Sequence, residues 1–512
     1  MELPSLIMIE LGIIYVSAVL LVIVWRVLPK NLRKTFSYVW IAATFLIALM
    51  VLAESSIAYT VTMKPKLYIF EEIFRGIMAI DSFSLSINFA VLLSSFLMAM
   101  HVLGNLDYSS EKTEGYLVLL LILVGTALCI TTTNNFVALI VFWEACIASA
   151  IGVLAHNVTE EGGEALTKMI LMSLVSAVSM TIGIGLLYAA LATAYAEPLG
   201  IYSLNFHQVA LLIQNVRGYP LYILLLSFAF IVASLGIEIG MAPFHMWLPD
   251  IYTGARPYSL SLVVLTLEMT SAYAITRVLG IYSYMPVYIG ALSLPIAILV
   301  VFSTLSVIVG EVSALVQRRL RRIVGYSAVA DAGYILLLSL FFLTFKRVPI
   351  GENSTYALPI AFFILVSNIS LASSVALIGL LERRGIYTLD DARGLVRRWP
   401  LLGILLSMSL MSVFGAPPLA GFIAKFFVVT SLASSIGMAS YILFIAAIVT
   451  LMFAVSSAYS LRIIQYTCIY SIAPKVSELI KKEPLDLLAP LTLLVALLLV
   501  LGVAPFIITS MF

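Results

Sequence analysis

Apolar residues run along this chain in blocks of about 20, long enough to cross a bilayer as helices, and the charges gather between the blocks. Windows of that length predict helices over 3–28, 36–59, 79–102, 115–133, 135–156, 166–194, 220–254, 257–280, 286–317, 320–345, 357–381, 400–436, 438–466 and 485–511. The expected fold is all-α and integral to the membrane, with fourteen crossings. The spans 220–254 and 400–436 are too long for one straight crossing and contain Pro243 and Pro417–Pro418, so both are read as broken helices. Before the first of them, Ser203 to Asn215 alternates apolar and polar residues at helical spacing over too short a length to span, and is expected along the membrane surface.

Composition fixes the solvent. With 62% hydrophobic and 11% charged residues among 512, and a mean hydropathy of +1.12, lipid has to cover much of the surface. The first apolar run starts with Glu2 and Glu10 where a secretory signal carries Lys or Arg, and is expected to be a retained helix. Twenty of the 28 Lys and Arg fall in one set of loops, including Arg26–Lys34, Arg318–Arg322, Arg383–Arg398 and Lys475–Lys482. Seven (Lys64, Lys66, Arg75, Arg217, Arg277, Lys346, Arg347) fall in the other set. The positive-inside rule then puts the first set in the cytoplasm and both termini outside.

A net charge of +2, spread over short loop clusters, gives no nucleic-acid groove. No phosphate-cradling Gly-rich loop with its Lys is present, which argues against ATP-driven transport by this chain. Cys129, Cys146 and Cys468 are isolated and read as packing residues; no metal or cofactor motif stands out.

Ionisable groups at membrane depth are costly, so each is a functional candidate. Five stand out: Glu144, Glu238, Glu268, Asp331 and Lys425. Glu238 precedes one helix break and Lys425 follows the other, where unwound backbone lines a hydrated cavity inside the protein. His245, inside the first break, is a candidate proton relay, whereas His101, His156 and His207 read as interfacial. Glu54 and Glu311 lie near span ends, where solvation is the simpler expectation. One broken helix in each half suggests an internal repeat, helices 4–8 (115–280) answering helices 9–13 (286–466), after three N-terminal helices (1–114) and before a last one (485–511).

Several segments, in one order, carry a resemblance: Asp81-Ser-Phe-Ser-Leu, Trp143-Glu144, GIEIGMAPFHMWLPDIYTGARP, QRRLRRIVGYSAVADAG, LDDARGLVRRWP and GAPPLAGFIAKF. The chain resembles the antiporter-like, ion-translocating subunits of complex I-related respiratory complexes, Mrp-type antiporters and archaeal membrane-bound hydrogenases and sulfur reductases. That likeness implies two inverted five-helix repeats around a buried charged axis, with Glu144 tuning the next site and Lys425 as the terminal base. It also implies a multisubunit complex with further antiporter-like or small Mrp-like subunits, whose redox module holds iron–sulfur clusters or other redox centres. Glu238 and Glu268 stand where the family usually has basic residues, and Asp331 where it has His, Gln or Asn. Glu144 and Glu238, two carboxylates at one place, would then share a proton or a cation. A carboxylate proton path, a Na+ site and a spacer subunit without translocation all remain open, as does a stand-alone solute transporter.

Overall fold

In the computed structural model, the described residues are 3–62, 68–69, 76–196, 200–286, 288–289, 292–345, 358–434, 440–478 and 483–505. Lys64, Lys66, Arg75, Lys346, Arg347, Lys481 and Lys482 of the charge count lie outside them, as does Glu2.

The apolar blocks form helices α1 (Leu3–Val27), α2 (Arg33–Thr62), α3 (Ser82–Leu103), α4 (Lys112–Thr132), α5 (Phe136–Leu154) and α6 (Glu160–Tyr195). A short α7 (Phe206–Ile213) follows, then α8 (Tyr219–Glu238), α9 (Trp247–Gly254) and α10 (Pro257–Tyr282). The second half contains α11 (Leu294–Val316), α12 (Leu320–Phe345), α13 (Leu358–Glu382), α14 (Pro400–Phe414), α15 (Ala420–Ser434), α16 (Ser440–Ile464) and α17 (Leu485–Val503). Thirteen helices among the described residues are long and apolar enough to cross a membrane, and the broken pair α14–α15 makes a fourteenth crossing. Short α7 buries Phe206, Val209, Ala210 and Ile213 along one side, as its periodicity predicts.

Two small antiparallel hairpins, β1 (Tyr68–Ile69) with β2 (Ala79–Ile80) and β3 (Tyr288–Ile289) with β4 (Leu292–Ser293), shorten two of the predicted spans. The third crossing therefore starts at Ser82, capped by Asp81, whose carboxylate accepts from the Ser84 N–H at 2.8 Å. The ninth starts at Leu294.

Burial sorts the helices into layers. In α10, α12 and α13, 89%, 94% and 94% of the apolar window is buried, against 33% in α1, α2, α6 and α17. The outer helices meet lipid or neighbouring subunits, and the three central ones carry polar groups that lipid could not tolerate. Close helix packing in lipid depends on small residues. At Gly310 of α11, a Cβ would lie 2.4 Å from the Ala330 backbone nitrogen of α12, so this glycine lets two backbones touch beside the site.

Both breaks use the same local device. Gly240 (φ +67) and Gly415 (φ +76) reverse the chain where an L side chain would be strained, and a proline follows three residues later at Pro243 and Pro418. The Ala242–Pro243 and Pro417–Pro418 bonds are cis. The freed backbone finds partners inside the protein: the Trp247 indole donates to the Ile237 carbonyl at 3.0 Å, and the Ala242 N–H to the Ser306 hydroxyl at 3.2 Å.

Candidate functional site

Lys425 leaves the first turns of α15 just after the second break, and its side chain is 3% exposed. Its Nζ lies 2.9 Å from Glu311 Oε1 of α11 and 4.0 Å from Asp331 Oδ1 of α12, and 4.8 Å above the Tyr334 ring. Glu311 is fully buried and accepts a second hydrogen bond from the Tyr459 hydroxyl of α16. Asp331 accepts from the Ser367 hydroxyl of α13 at 2.5 Å. Gly415 makes room for this lysine, since a Cβ there would lie 3.0 Å from Lys425 Cδ. Groups from α11 and α12 thus meet on one ammonium, and hydroxyls from α16 and α13 hold their carboxylates.

Glu268 stands across a cavity of about 30 Å³ from Asp331, lined also by Ser367, Asn368 and Ile239, enough space for one or two water molecules. Its helix α10 widens into a π turn at Val264–Glu268, a distortion that often marks functional positions. The Tyr252 hydroxyl of α9 donates to Glu268 Oε2 at 2.8 Å. One residue beyond Tyr252, the chain enters the wall of a larger cavity of about 520 Å³ on the arginine-rich face. Arg256, Arg321, Glu382 and Arg383 line that vestibule; Arg321 is held by Glu382 at 2.8 Å and by the Ala255 carbonyl at 2.5 Å. From vestibule to Lys425, the polar groups are therefore Tyr252, Glu268, Asp331 and Glu311.

A model of the NADH:quinone oxidoreductase/Mrp antiporter transmembrane family matches residues 133–453, which contain every residue just named except Tyr459. NADH-quinone oxidoreductase subunit N 2 of Acidobacterium capsulatum is 30% identical over 397 residues, 76% of this chain and 74% of that protein. The chain belongs to this family. Two solved structures share the fold: the Mrp complex from Dietzia sp. (TM-score 0.80, 18% identity, covering 100% of this chain and 96% of that one), and the archaeal membrane-bound sulfane sulfur reductase (TM-score 0.80, 21% identity, covering 99% and 96%).

For this member of the NADH:quinone oxidoreductase/Mrp antiporter family, the structure brings Glu268, Asp331 and Lys425 into one connected group. It leaves Glu144, Glu238 and His245 apart from it. Glu238 is 3% exposed, and neither carboxyl oxygen has a hydrogen-bond partner among the described residues; the nearby Ser176 hydroxyl is taken up by Ser234 at 2.9 Å. Glu144 is half-exposed on the side of α5 next to exposed Val141 and makes no hydrogen bond or ion pair among the described residues. The two carboxyls therefore do not share a proton through a direct bond here. His245 sits on the outward side of the first break beside exposed Met246, with a buried Nδ1 that has no hydrogen-bond partner among the described residues.

Three sequence expectations need correcting. Glu311 is not solvated at a span end but fully buried against Lys425, because the glycine contact at Gly310 draws this part of α11 onto α12. His101 and His156 are buried rather than interfacial; His101 Nδ1 is bonded to the Leu487 carbonyl at 2.9 Å. Tyr252, Tyr459 and Ser367 were invisible as partners, since only tertiary packing brings their hydroxyls to the carboxyls. Glu54 is exposed on the isolated chain, eight residues before the end of α2.

Proposed function

We propose that this chain is an ion-translocating, antiporter-like subunit of a multisubunit respiratory membrane complex, and that it carries protons along Glu268, Asp331, Glu311 and Lys425. The observation that carries this reading is the buried lysine held between two carboxylates, with a third across a water-sized cavity. Three carboxyls gathered around one ammonium in a low-dielectric interior outnumber the cation that could balance them, an arrangement suited to exchanging protons rather than standing inert. A proton is favoured over Na+ because the Lys425 ammonium already occupies the position where Glu311 and Asp331 would hold a cation.

The vestibule supplies protons through Tyr252. Glu144, open on the lateral face, is placed for a charged residue of a neighbouring subunit to act on Glu238 behind it. Redox centres belong to partner subunits, whose chemistry drives the cycle. The arginine-rich loops face the cytoplasm and both termini the outside, and helices 4–8 and 9–13 form inverted repeats hinged on the two Gly-x-x-Pro breaks.

The test is ion transport by the intact complex in sealed vesicles. Glu268→Gln and Lys425→Ala should abolish or strongly reduce proton movement while the complex still assembles, and Glu238→Gln should weaken it. Unchanged transport in all three would make the subunit a spacer, and loss confined to Na+ movement would replace the proton with sodium.

A further inference from the structure

At the end of the bundle away from the arginine-rich loops, Asp81 at the cap of α3 pairs with Arg277 of α10. An arginine near a span end normally extends its head group to water. Here the side chains of Arg277 and Asp81 are only 11% and 8% exposed, and the guanidinium lies 5.4 Å from the Phe83 ring and 5.2 Å from that of Tyr273. Polar groups continue inward from this plug. Arg277 Nε donates to the Tyr273 hydroxyl at 2.9 Å, which donates to the Thr131 carbonyl at 2.8 Å. The Thr131 hydroxyl in turn donates to the Asn88 side-chain carbonyl. The hydroxyls of Ser271, on α10 at about the depth of Asn88, and of Ser95, further along α3, are buried with no hydrogen-bond partner among the described residues.

These residues follow two antiparallel helices toward Glu268. Asn88 and Ser95 are two turns apart on one face of α3, and Ser271 is one turn from Glu268. At 1.5 Å per residue, Ser271 lies about 9 Å and Glu268 about 13 Å inward from Arg277, and Asn88 about 10 Å inward from Asp81, so the polar groups come within one turn of Glu268; Ser95, about 21 Å inward, lies beyond it. Packing alone explains the Tyr273–Thr131 bond. It does not explain Ser271, between Glu268 and the pair, whose buried hydroxyl costs free energy unless water satisfies it.

We propose that this is a second access route: a water path from Glu268 to the face opposite the arginine-rich loops, closed by the Asp81–Arg277 pair acting as a gate. The inference rests on Glu268 being an ion carrier. It also supplies what that reading requires. Glu268 is already linked through Tyr252 to the vestibule on the other face, and a carrier open to both faces at once would leak. A desolvated ion pair filling the mouth keeps water out, and its separation admits water to the Ser271 hydroxyl and on to Glu268.

The test measures access separately from transport. In the intact complex, Cys129, Cys146 and Cys468 are replaced by Ala, Ser271→Cys is introduced, and a charged, membrane-impermeant methanethiosulfonate is applied to either face of sealed membranes. Asp81→Asn preserves the helix cap, because Asn caps as well as Asp, but removes the charge that holds Arg277. It should speed modification by about tenfold or more, from the face opposite the arginine-rich loops only. Arg277→Gln should do the same, and adding Asn88→Leu should slow modification again by plugging the path. An unchanged rate in both gate variants, or modification only from the arginine-rich face, would overturn the route. In vesicles, Asp81→Asn should also raise passive proton conductance, and Glu268→Gln should suppress the increase. Faster modification with a conductance indifferent to Glu268→Gln would uphold the gate and overturn ion carriage by Glu268.

Discussion

A lysine buried among carboxylates is held by what it faces. Lys425 balances Glu311, and neither has water to fall back on, so removing one partner strands the other's charge in the interior. Lys425→Ala should therefore destabilise the subunit by about 3–5 kcal/mol, and pairing it with Glu311→Gln should recover a large part of the loss. Thermal denaturation of the purified complex, read for the single and double variants, checks this; equal loss in both would mean that the two residues do not depend on each other. The same pair shows how far single residues were legible. Lys425, Glu268 and Asp331 stand out in sequence because each sits mid-span, where a charge has no cheap explanation. Glu311 lies five residues from the end of α11, close enough to suggest solvation, and what cancels that reading is a contact between Gly310 and Ala330 that no single sequence displays. The Tyr252 and Tyr459 hydroxyls come from separate helices, so nothing local announces them.

Helix breaks were the most legible elements, since proline and glycine act through the backbone itself. Their neighbours are constrained as tightly. At Gly421, on the first turn of α15, a Cβ would lie 1.7 Å from the Ser412 carbonyl oxygen of α14, and neither backbone can yield without moving Lys425. Gly421→Ala should cost about 1–3 kcal/mol and reduce proton transport, whereas Gly185→Ala on α6, with nothing within 4 Å, should be neutral or stabilising by up to about 1 kcal/mol. Melting of the two variants side by side decides whether the close approach matters. The loop between α13 and α14 carries a pH-sensitive clasp. Partial burial pushes the Asp391 carboxyl up, but the Lys475 ammonium 2.9 Å away, the Thr388 hydroxyl and the N–H groups of Tyr387 and Thr388 outweigh it and hold the carboxyl below the usual carboxylate range. A carboxyl lowered on folding stabilises the fold fully above its unfolded value of about 4, and that contribution is lost as pH falls through the lower folded value. Proteolysis of this loop should stay constant from neutral pH down to about 5 and rise only in stronger acid; in Asp391→Asn it should be faster throughout and independent of this titration.

Across the whole molecule, charge in the loops and burial in the helices describe the same object from two sides. The helix count and the two breaks follow from apolar run length and proline, because the bilayer requires every crossing to satisfy its own backbone. The layering follows only in part: α10 and α12, with mean hydropathies of 1.4 and 1.6, are the least apolar crossings, but α13 at 2.1 is nearly as apolar as the outer helices and still lies inside, since which helix is surrounded depends on all the others. Orientation rests on the arginines alone. The vestibule bounded by Arg256, Arg321 and Arg383 lies on the arginine-rich face, and the Asp81–Arg277 plug lies on the other, so the direction of ion movement depends on which face meets the cytoplasm. Ser109, exposed between α3 and α4, and Asn215, exposed between α7 and α8, mark the two faces. With the three native cysteines replaced, Ser109→Cys should react with an impermeant thiol reagent in inside-out vesicles and not in intact cells, and Asn215→Cys the reverse. Opposite labelling would invert the subunit, make the vestibule the outer mouth and turn the Asp81–Arg277 plug into the cytoplasmic gate, while the buried path between them would stand unchanged.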